Sequence, residues 1–189
     1  RIKSDFIDLV AKEAAKYIPK DPFDINSEVG CVVNKQQKMI IDGYIESASN
    51  SSATVINIES TEDLPSDNCV VPVILDCVNT EDDFVQEEIF GPVLIVLDYE
   101  TIDEAIKIAN GTVYGLAASI WTDDLDEAYQ VSRLLDAGIV HINSYGDDDN
   151  RVPFGGIKES GIGKDKSIYA FDEYSVTKTI WLYSNKILG

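Results

Sequence analysis

The sequence predicts an α/β domain of three layers: a largely parallel sheet built from βαβ units, with helices on both faces. Three observations lead there. Apolar, β-branched runs of strand length recur at 70–78, 93–97, 116–121 and 138–143. Helical patterns lie between the last three, and the connecting segments 98–115 and 122–137 are long enough for right-handed parallel crossovers. The runs are continuously apolar rather than alternating, as expected of strands covered on both faces.

Each element has a local reason. Residues 4–18 read as an amphipathic helix with Phe6, Leu9, Val10, Ala14 and Tyr17 on one side, stopped by Pro19 and Pro22. A second helix at about 35–49 sets Ile40, Tyr44 and Ala48 at four-residue spacing. Residues 55–58 form a short strand, and 60–68 a polar surface loop. Thr101-Ile102-Asp103-Glu104 is a capping box, in which the threonine hydroxyl satisfies an orphan amide and the glutamate reaches back. The helix it opens ends at Asn110-Gly111, a C-cap pattern. Asp124 caps the next helix, which ends near Ala137-Gly138. A long glycine-rich loop follows Asn143, with a short helix within 164–173. Residues 175–183 are strand-prone but lie beyond the core pattern, as an arm whose edge can pair with another subunit. No repeat or linker interrupts the chain, so the expected division is one domain over 1–172 and a C-terminal strand and tail over 173–189.

The 189 residues suffice for one good-sized core. No apolar run approaches the roughly 18–20 residues of a membrane helix, and no signal-peptide pattern precedes the first helix. Acidic residues outnumber basic ones 34 to 15, giving a formal charge of -19. Nucleic acid is thereby excluded as a partner, because phosphate neutralisation needs clustered Lys and Arg. The three cysteines, Cys31, Cys69 and Cys77, are odd in number and lack CxxC spacing. This argues against a disulfide framework or a metal site, and for a reducing, cytoplasmic compartment. Cys77 reads as a small core residue. His141, the single histidine, sits in an apolar strand-like run and reads as a satisfied core residue rather than the base for a catalytic thiol.

Two motifs carry the functional information. The first is Gln86-Glu87-Glu88-Ile89-Phe90-Gly91-Pro92-Val93, with paired carboxylates, an aromatic ring and a Gly-Pro turn before a buried strand. The second is Val152-Pro153-Phe154-Gly155-Gly156-Ile157-Lys158-Glu159-Ser160-Gly161. Its glycines do not make a phosphate loop, since Ile162-Gly163 follow where Lys and Ser or Thr are required. Nor do they make a dinucleotide fingerprint, which opens a helix directly after a strand. By composition they are turn formers.

Together with Asn110-Gly111-Thr112-Val113-Tyr114-Gly115-Leu116-Ala117, Ala137-Gly138-Ile139-Val140 and Lys178-Thr179, these motifs resemble the C-terminal half of the NAD(P)-dependent aldehyde dehydrogenases. Within that family the pattern Arg151-Val152-Pro153-Phe154-Gly155-Gly156 with Lys178-Thr179-Ile180-Trp181 looks most like the gamma-glutamyl-gamma-aminobutyraldehyde and related aminoaldehyde dehydrogenases. The resemblance implies that fold, oxidation of an aldehyde to a carboxylic acid with NAD or NADP, and a homo-oligomer, dimer or tetramer. It implies that Glu88 accepts hydrogen bonds from the nicotinamide-ribose hydroxyls, as an acceptor-only carboxylate can. It implies that Phe90 packs by the nicotinamide and that Phe154 lines the substrate tunnel. The family's nucleophilic cysteine, whose thioester intermediate is released by a glutamate-activated water, would precede Arg1, as would that glutamate. This chain therefore supplies no catalytic residue and is expected to be inactive alone. Asp147 and Asp148, in the acidic run 147–149 at the implied substrate mouth, would attract a cationic aminoaldehyde. Val73 after Pro72, where a threonine is common, and Ile157, where an aromatic is frequent, depart from the family pattern. Two other classes remain open: a non-catalytic structural or binding protein derived from this fold, and a parallel α/β regulatory domain with Asp76 or Asp98 as a phosphoacceptor-like carboxylate.

Overall fold

Helices form where the apolar spacing and caps require them. The computed structural model describes residues 2–60, 63–77, 79–146 and 149–183. Helix α1 (Lys3–Ala14) turns Ile7, Val10, Ala11 and Ala14 inward and leaves Phe6 and Leu9 of the expected apolar face exposed, as is Tyr17 beyond its end; α2 (Lys35–Ser49) buries Ile41 and Ala48 completely and leaves Ile40 exposed. The α2 start is fixed by Asn34, whose side-chain oxygen accepts the Gln37 N–H at 2.8 Å. Strand β1 (Thr54–Asn57), strand β2 (Val73–Asp76), the one-turn helix α3 (Asp83–Gln86) and strand β3 (Val93–Val96) follow. Strand β2 is central, antiparallel to β1 and parallel to β3.

The alternation of β2 side chains makes the three layers. Val73 and Leu75 join a cluster with Ile41, Ala48, Cys77, Phe84 and Ile89, on the α2 side. Ile74 between them joins Ile7, Ile18, Ile58 and Val96, on the α1 side. Helices thus cover both faces of this sheet, as the continuous apolar runs predicted.

The chain continues through α4 (Ile102–Ala109), β4 (Tyr114–Gly115), β5 (Ala117–Ile120), α5 (Leu125–Ser132), β6 (Ile139–Ile142), β7 (Ile157–Lys158) and α6 (Ala170–Glu173). Strands β5 and β6 pair in parallel across α5, which gives the expected βαβ unit, and β4 pairs antiparallel with β7. The α/β class therefore stands, with its parallel pairs β2–β3 and β5–β6 in separate sheets. The backbone divides into two compact units, Arg1–Ile108 and Ala109–Gly189.

Several local expectations change. The capping box forms one residue out of phase: the Thr101 hydroxyl accepts the Glu104 N–H at 3.2 Å, while the Glu104 carboxylate accepts from Glu100 N–H at 2.8 Å. Neither Asn110 nor Gly111 takes the positive φ of a C-cap. The Asn110 side chain instead donates to Leu134 O and accepts from Asp136 N–H, tying down the turn before β6. Helix α5 ends at Ser132, short of Ala137. His141 is half-buried rather than enclosed, its ring 6.2 Å from that of Tyr145. Contrary to the reading of cysteine count and spacing, Cys31 and Cys69 are joined by a disulfide. Spacing criteria register neighbours in sequence, whereas these two are 38 residues apart and meet only through the fold. Cys77 is the buried core residue expected.

Residues 175–183 carry no β pairing, and Val176, Ile180, Trp181, Leu182 and Tyr183 are exposed. Strand-prone residues adopt a strand only against an edge that supplies hydrogen bonds. No helix among the described residues is long and apolar enough to cross a membrane.

Candidate functional site

The segment between α3 and β3 is held from three sides. Ile89 is buried in the α2-side cluster. From the first turn of α2, Gln37 donates its side-chain N–H to Ile89 O at 3.0 Å and to Phe90 O at 3.4 Å. Gly91 lies so close to α2 that a Cβ would come within 2.5 Å of Ile41 Cδ1, a clash with a fully buried side chain. Pro92 O accepts the Val73 N–H at 2.9 Å, which locks the end of the segment to the central strand.

These constraints turn the flanking side chains outward. Phe90 is 71% exposed and has φ 52°, in the left-handed region. A bulky residue there costs on the order of 1–3 kcal/mol and persists only where its surroundings over-determine it. The Gln37 bonds and the Gly91 contact are that surrounding. Glu88 is exposed on the other side of Ile89, and none of the described residues engages its carboxylate. The result is a ledge carrying two free acceptor oxygens and an open aromatic face. Such a pair fits a ribose diol beside a flat heteroaromatic ring.

Phe154 belongs to the second unit. It is bridged to Asp165 by two backbone hydrogen bonds of 2.8 and 2.7 Å, and its ring lies 5.0 Å from the Lys166 ammonium. It borders a cavity of about 530 Å³ with Leu116, Ile162, Lys164, Glu173 and Tyr174. Polar ties shape the glycine loop around it. Lys164 donates to Gly155 O at 2.7 Å, Lys158 to Asn110 O at 2.9 Å, and the Ser160 hydroxyl accepts the Gly115 N–H at 2.9 Å. Gly138 permits the loop to dock, because a Cβ there would collide with the Gly155 carbonyl oxygen. Far from being only turns, the glycines let two backbones touch.

Asn143, at φ 53°, ends β6. Its side chain continues the strand pairing: Oδ1 accepts the Thr122 N–H and Nδ2 donates to Thr122 O, both at 2.9 Å. Asparagine tolerates the left-handed region better than most residues, a signal available in the sequence. The role of Gln37 had no comparable signal, since its partners lie more than fifty residues away.

Asp147 and Asp148 lie outside the described residues. Asp149, the third of that run, is engaged by Arg151, whose Nη2 lies 2.5 Å from Oδ2. That side-chain bond holds the Asp149 carboxyl below the ordinary carboxylate range. Its charge is thus matched locally.

With Cys31 and Cys69 bonded to each other and Cys77 buried, no cysteine in this structure offers a free thiolate. The Cys77 thiol is fully buried and pushed up to about 11, first by burial and then by the nearby Asp82 and Asp76 carboxylates. Asp76 and Asp98 are likewise engaged, by the Lys3 ammonium at 2.5 and 3.0 Å.

The aldehyde dehydrogenase family model matches residues 1–180. The chain belongs to the aldehyde dehydrogenase family. It is 37% identical to an aminoacetaldehyde dehydrogenase of Pseudomonas aeruginosa over 182 residues, covering 96% of this chain and 36% of that protein. It is 33% identical to the NADP/NAD-dependent aldehyde dehydrogenase PuuC of Escherichia coli, with 96% of this chain and 36% of the relative covered. Among solved structures, the indole-3-acetaldehyde dehydrogenase AldA of P. syringae, as a mutant in complex with NAD+ and IAA, superposes with a TM-score of 0.88 at 41% identity. That match covers 96% of this chain and 37% of that one. This chain therefore spans little more than a third of the length of these relatives. Family membership leaves the regulatory-domain alternative without support, and Lys3 occupies both of its candidate acidic residues.

Proposed function

We propose that this chain is the C-terminal portion of an NAD(P)-dependent aldehyde dehydrogenase and contributes one wall of its cofactor site. The observation that carries this is the ledge at 88–90: an unengaged carboxylate and an exposed ring held at a strained backbone angle, in a chain of this family. Glu88 takes the hydroxyls of the nicotinamide ribose, and Phe90 sets the position of the nicotinamide ring. The bound cofactor supplies the hydride acceptor. The chain's own part is to orient it, since the Gln37 clamp and the Gly91 contact leave the ledge little freedom.

The reactive thiol comes from outside this sequence. The bonded state of Cys31 and Cys69 and the buried, protonated Cys77 support that assignment. The 189-residue chain is accordingly inactive on its own. Phe154 lines the path of the aldehyde, and Asp147 and Asp148 favour one bearing an amino cation. Residues 1–172 form the catalytic-domain part and 173–189 an arm that pairs with a second subunit, in a cytoplasmic dimer or tetramer.

The test joins this chain to the remaining portion of the aminoacetaldehyde dehydrogenase to which it is 37% identical. NAD(P)+-linked aldehyde oxidation is expected from the joined protein and not from the chain alone. Hydrogen bonds to a charged group contribute about 1.5–3 kcal/mol each, so Glu88→Gln should lower affinity for the cofactor at least about tenfold. Wild-type affinity in that variant, or turnover by the isolated chain, would remove the proposal. For the substrate class, replacing Asp147 and Asp148 by Asn should lower kcat/KM for 4-aminobutyraldehyde relative to butyraldehyde. An unchanged ratio would sink the steering role.

A further inference from the structure

The Cys31–Cys69 bond stands at a place where it reaches the ledge. Cys31 lies three residues before Asn34, the cap of α2, and Cys69 just before the central strand. Around the bond the two segments are tied lightly. Val32 N–H donates to Asn68 O at 3.2 Å, the Asn68 side chain donates back to Val32 O, and Lys35 reaches Asp67 at 2.7 Å across an exposed surface. Such exposed ion pairs hold weakly. The disulfide closes the chain over the whole of α2 and β1, which limits the open states available to the first turn of α2. That same turn carries Gln37, whose amide clamps the Ile89 and Phe90 carbonyls, and the next carries Ile41, which packs against Gly91.

We propose that Cys31 and Cys69 form a redox-sensitive cross-link that fastens the start of α2 and, through Gln37, holds the Glu88–Phe90 ledge in place. The consequence for cofactor affinity rests on the function proposed above; the cross-link and its mechanical effect do not. Cys31 is partly exposed and Cys69 only 2% so, which sets the order of events. The Cys31 thiolate attacks a low-molecular-weight disulfide such as oxidised glutathione, forming a mixed disulfide and releasing one glutathione thiol. The Cys69 thiolate then attacks the Cys31 sulfur and releases the second. Two protein thiols are oxidised, one glutathione disulfide is reduced, and the two thiol protons end on the two released glutathiones. Reduction runs the same steps backwards.

The experiment equilibrates the protein in a series of glutathione disulfide-to-thiol ratios. It then quenches with an alkylating agent, maps the peptides by mass spectrometry, and follows amide hydrogen exchange. A Cys31–Cys69 peptide should appear as the ratio rises, with Cys77 alkylated only after unfolding. Exchange at Gln37, Val73 and Val93, whose N–H groups donate to Asn34 Oδ1, Pro92 O and Gly91 O, should be at least threefold slower in the oxidised form, with the α5 amides unchanged as an internal control. Cys31→Ser should exchange at the reduced rate under every condition. Absence of the linked peptide at all ratios would overturn the proposal. So would equal exchange at Gln37, Val73 and Val93 in the two redox forms, or slow exchange persisting in Cys31→Ser. The measurement contains no cofactor, so a failed Glu88→Gln experiment would leave it standing, and the reverse also holds.

Discussion

The two units of this chain are built from similar strands and helices, yet they bury their apolar residues very differently. Residues Arg1–Ile108 enclose two clusters around β2, with Phe84, Ile41, Ile74 and Leu75 almost wholly removed from water. In Ala109–Gly189, Ala128 is the one fully buried apolar side chain among the described residues, while Trp121, Leu125, Tyr129, Leu134, Ile162 and Phe171 are largely exposed. The second unit is shaped instead by polar ties to backbone: Asn143 to Thr122, Asn110 to the turn before β6, and Lys158 and Lys164 to loop carbonyls. Both units form strands and capped helices. Only the first also encloses its apolar surface, so the hydrophobic contribution to stability is concentrated there.

The largest expected effect breaks this contrast directly. Phe84→Ala opens a cavity in the enclosed cluster and should cost about 3–5 kcal/mol. Trp121→Ala, at a side chain 68% exposed, should stay within about 0.5 kcal/mol. Denaturant midpoints measure both, and equal losses would mean that the second unit is covered in solution.

Next in size, Asn143→Ala removes both bonds to Thr122 and leaves a less tolerant residue at positive φ. At about 0.5–1.5 kcal/mol per bond, it should lower stability by about 1–3 kcal/mol, with the loss of protection in hydrogen exchange concentrated at Thr122 and β6. A shift of that size without local exchange would contradict the polar-tie account.

The smallest effect concerns the Lys3 ion pairs, which lie outside the apolar core. The Asp98 carboxyl is held below its ordinary 3.8 by its bond to Lys3, so its contribution is present above that value and lost as pH falls through the lower folded value. The Lys3 ammonium is raised above 10.5, chiefly by its bond to Asp76. Its contribution is present below 10.5 and lost as pH rises through the higher folded value. Lys3→Met should therefore flatten both limbs of a stability–pH profile and lower the centre only modestly, since the exposed Asp98 pair is screened while the half-buried Asp76 carboxylate loses its ammonium partner. A large drop near neutrality would show that the Lys3 contacts count for more than exposed pairs do.

Much of the first unit was legible because its signals are local or periodic. The α2 helix runs from Lys35 to Ser49 as its spacing predicted, the run at 55–58 overlaps β1 one residue late, and the runs at 70–78 and 93–97 contain β2 and β3. Capping by Asp124 followed from residue type alone. The candidate site was read in a different way, through family resemblance: Glu88 and Phe90 were singled out by the motif that carries the resemblance, and both are exposed. The supporting residues were not legible. Gln37 and Gly91 matter because of what lies opposite them, and nothing nearby in the sequence names that partner. The disulfide was misjudged for the same reason. The C-cap pattern at Asn110-Gly111 misled because a distant turn competed successfully for the asparagine amide.

By itself the sequence determined where most of the longer helices and the buried strands lie and which family the motifs resemble, because propensity, periodicity and capping act between residues a few positions apart. Tertiary structure alone decided that Cys31 meets Cys69, that Phe90 is held at a left-handed angle with its ring in solvent, and that Asn110 serves a turn instead of a helix end. These outcomes depend on which groups approach through space, and that approach is set by the packing of α2 and β2 around one core rather than by any neighbour along the chain.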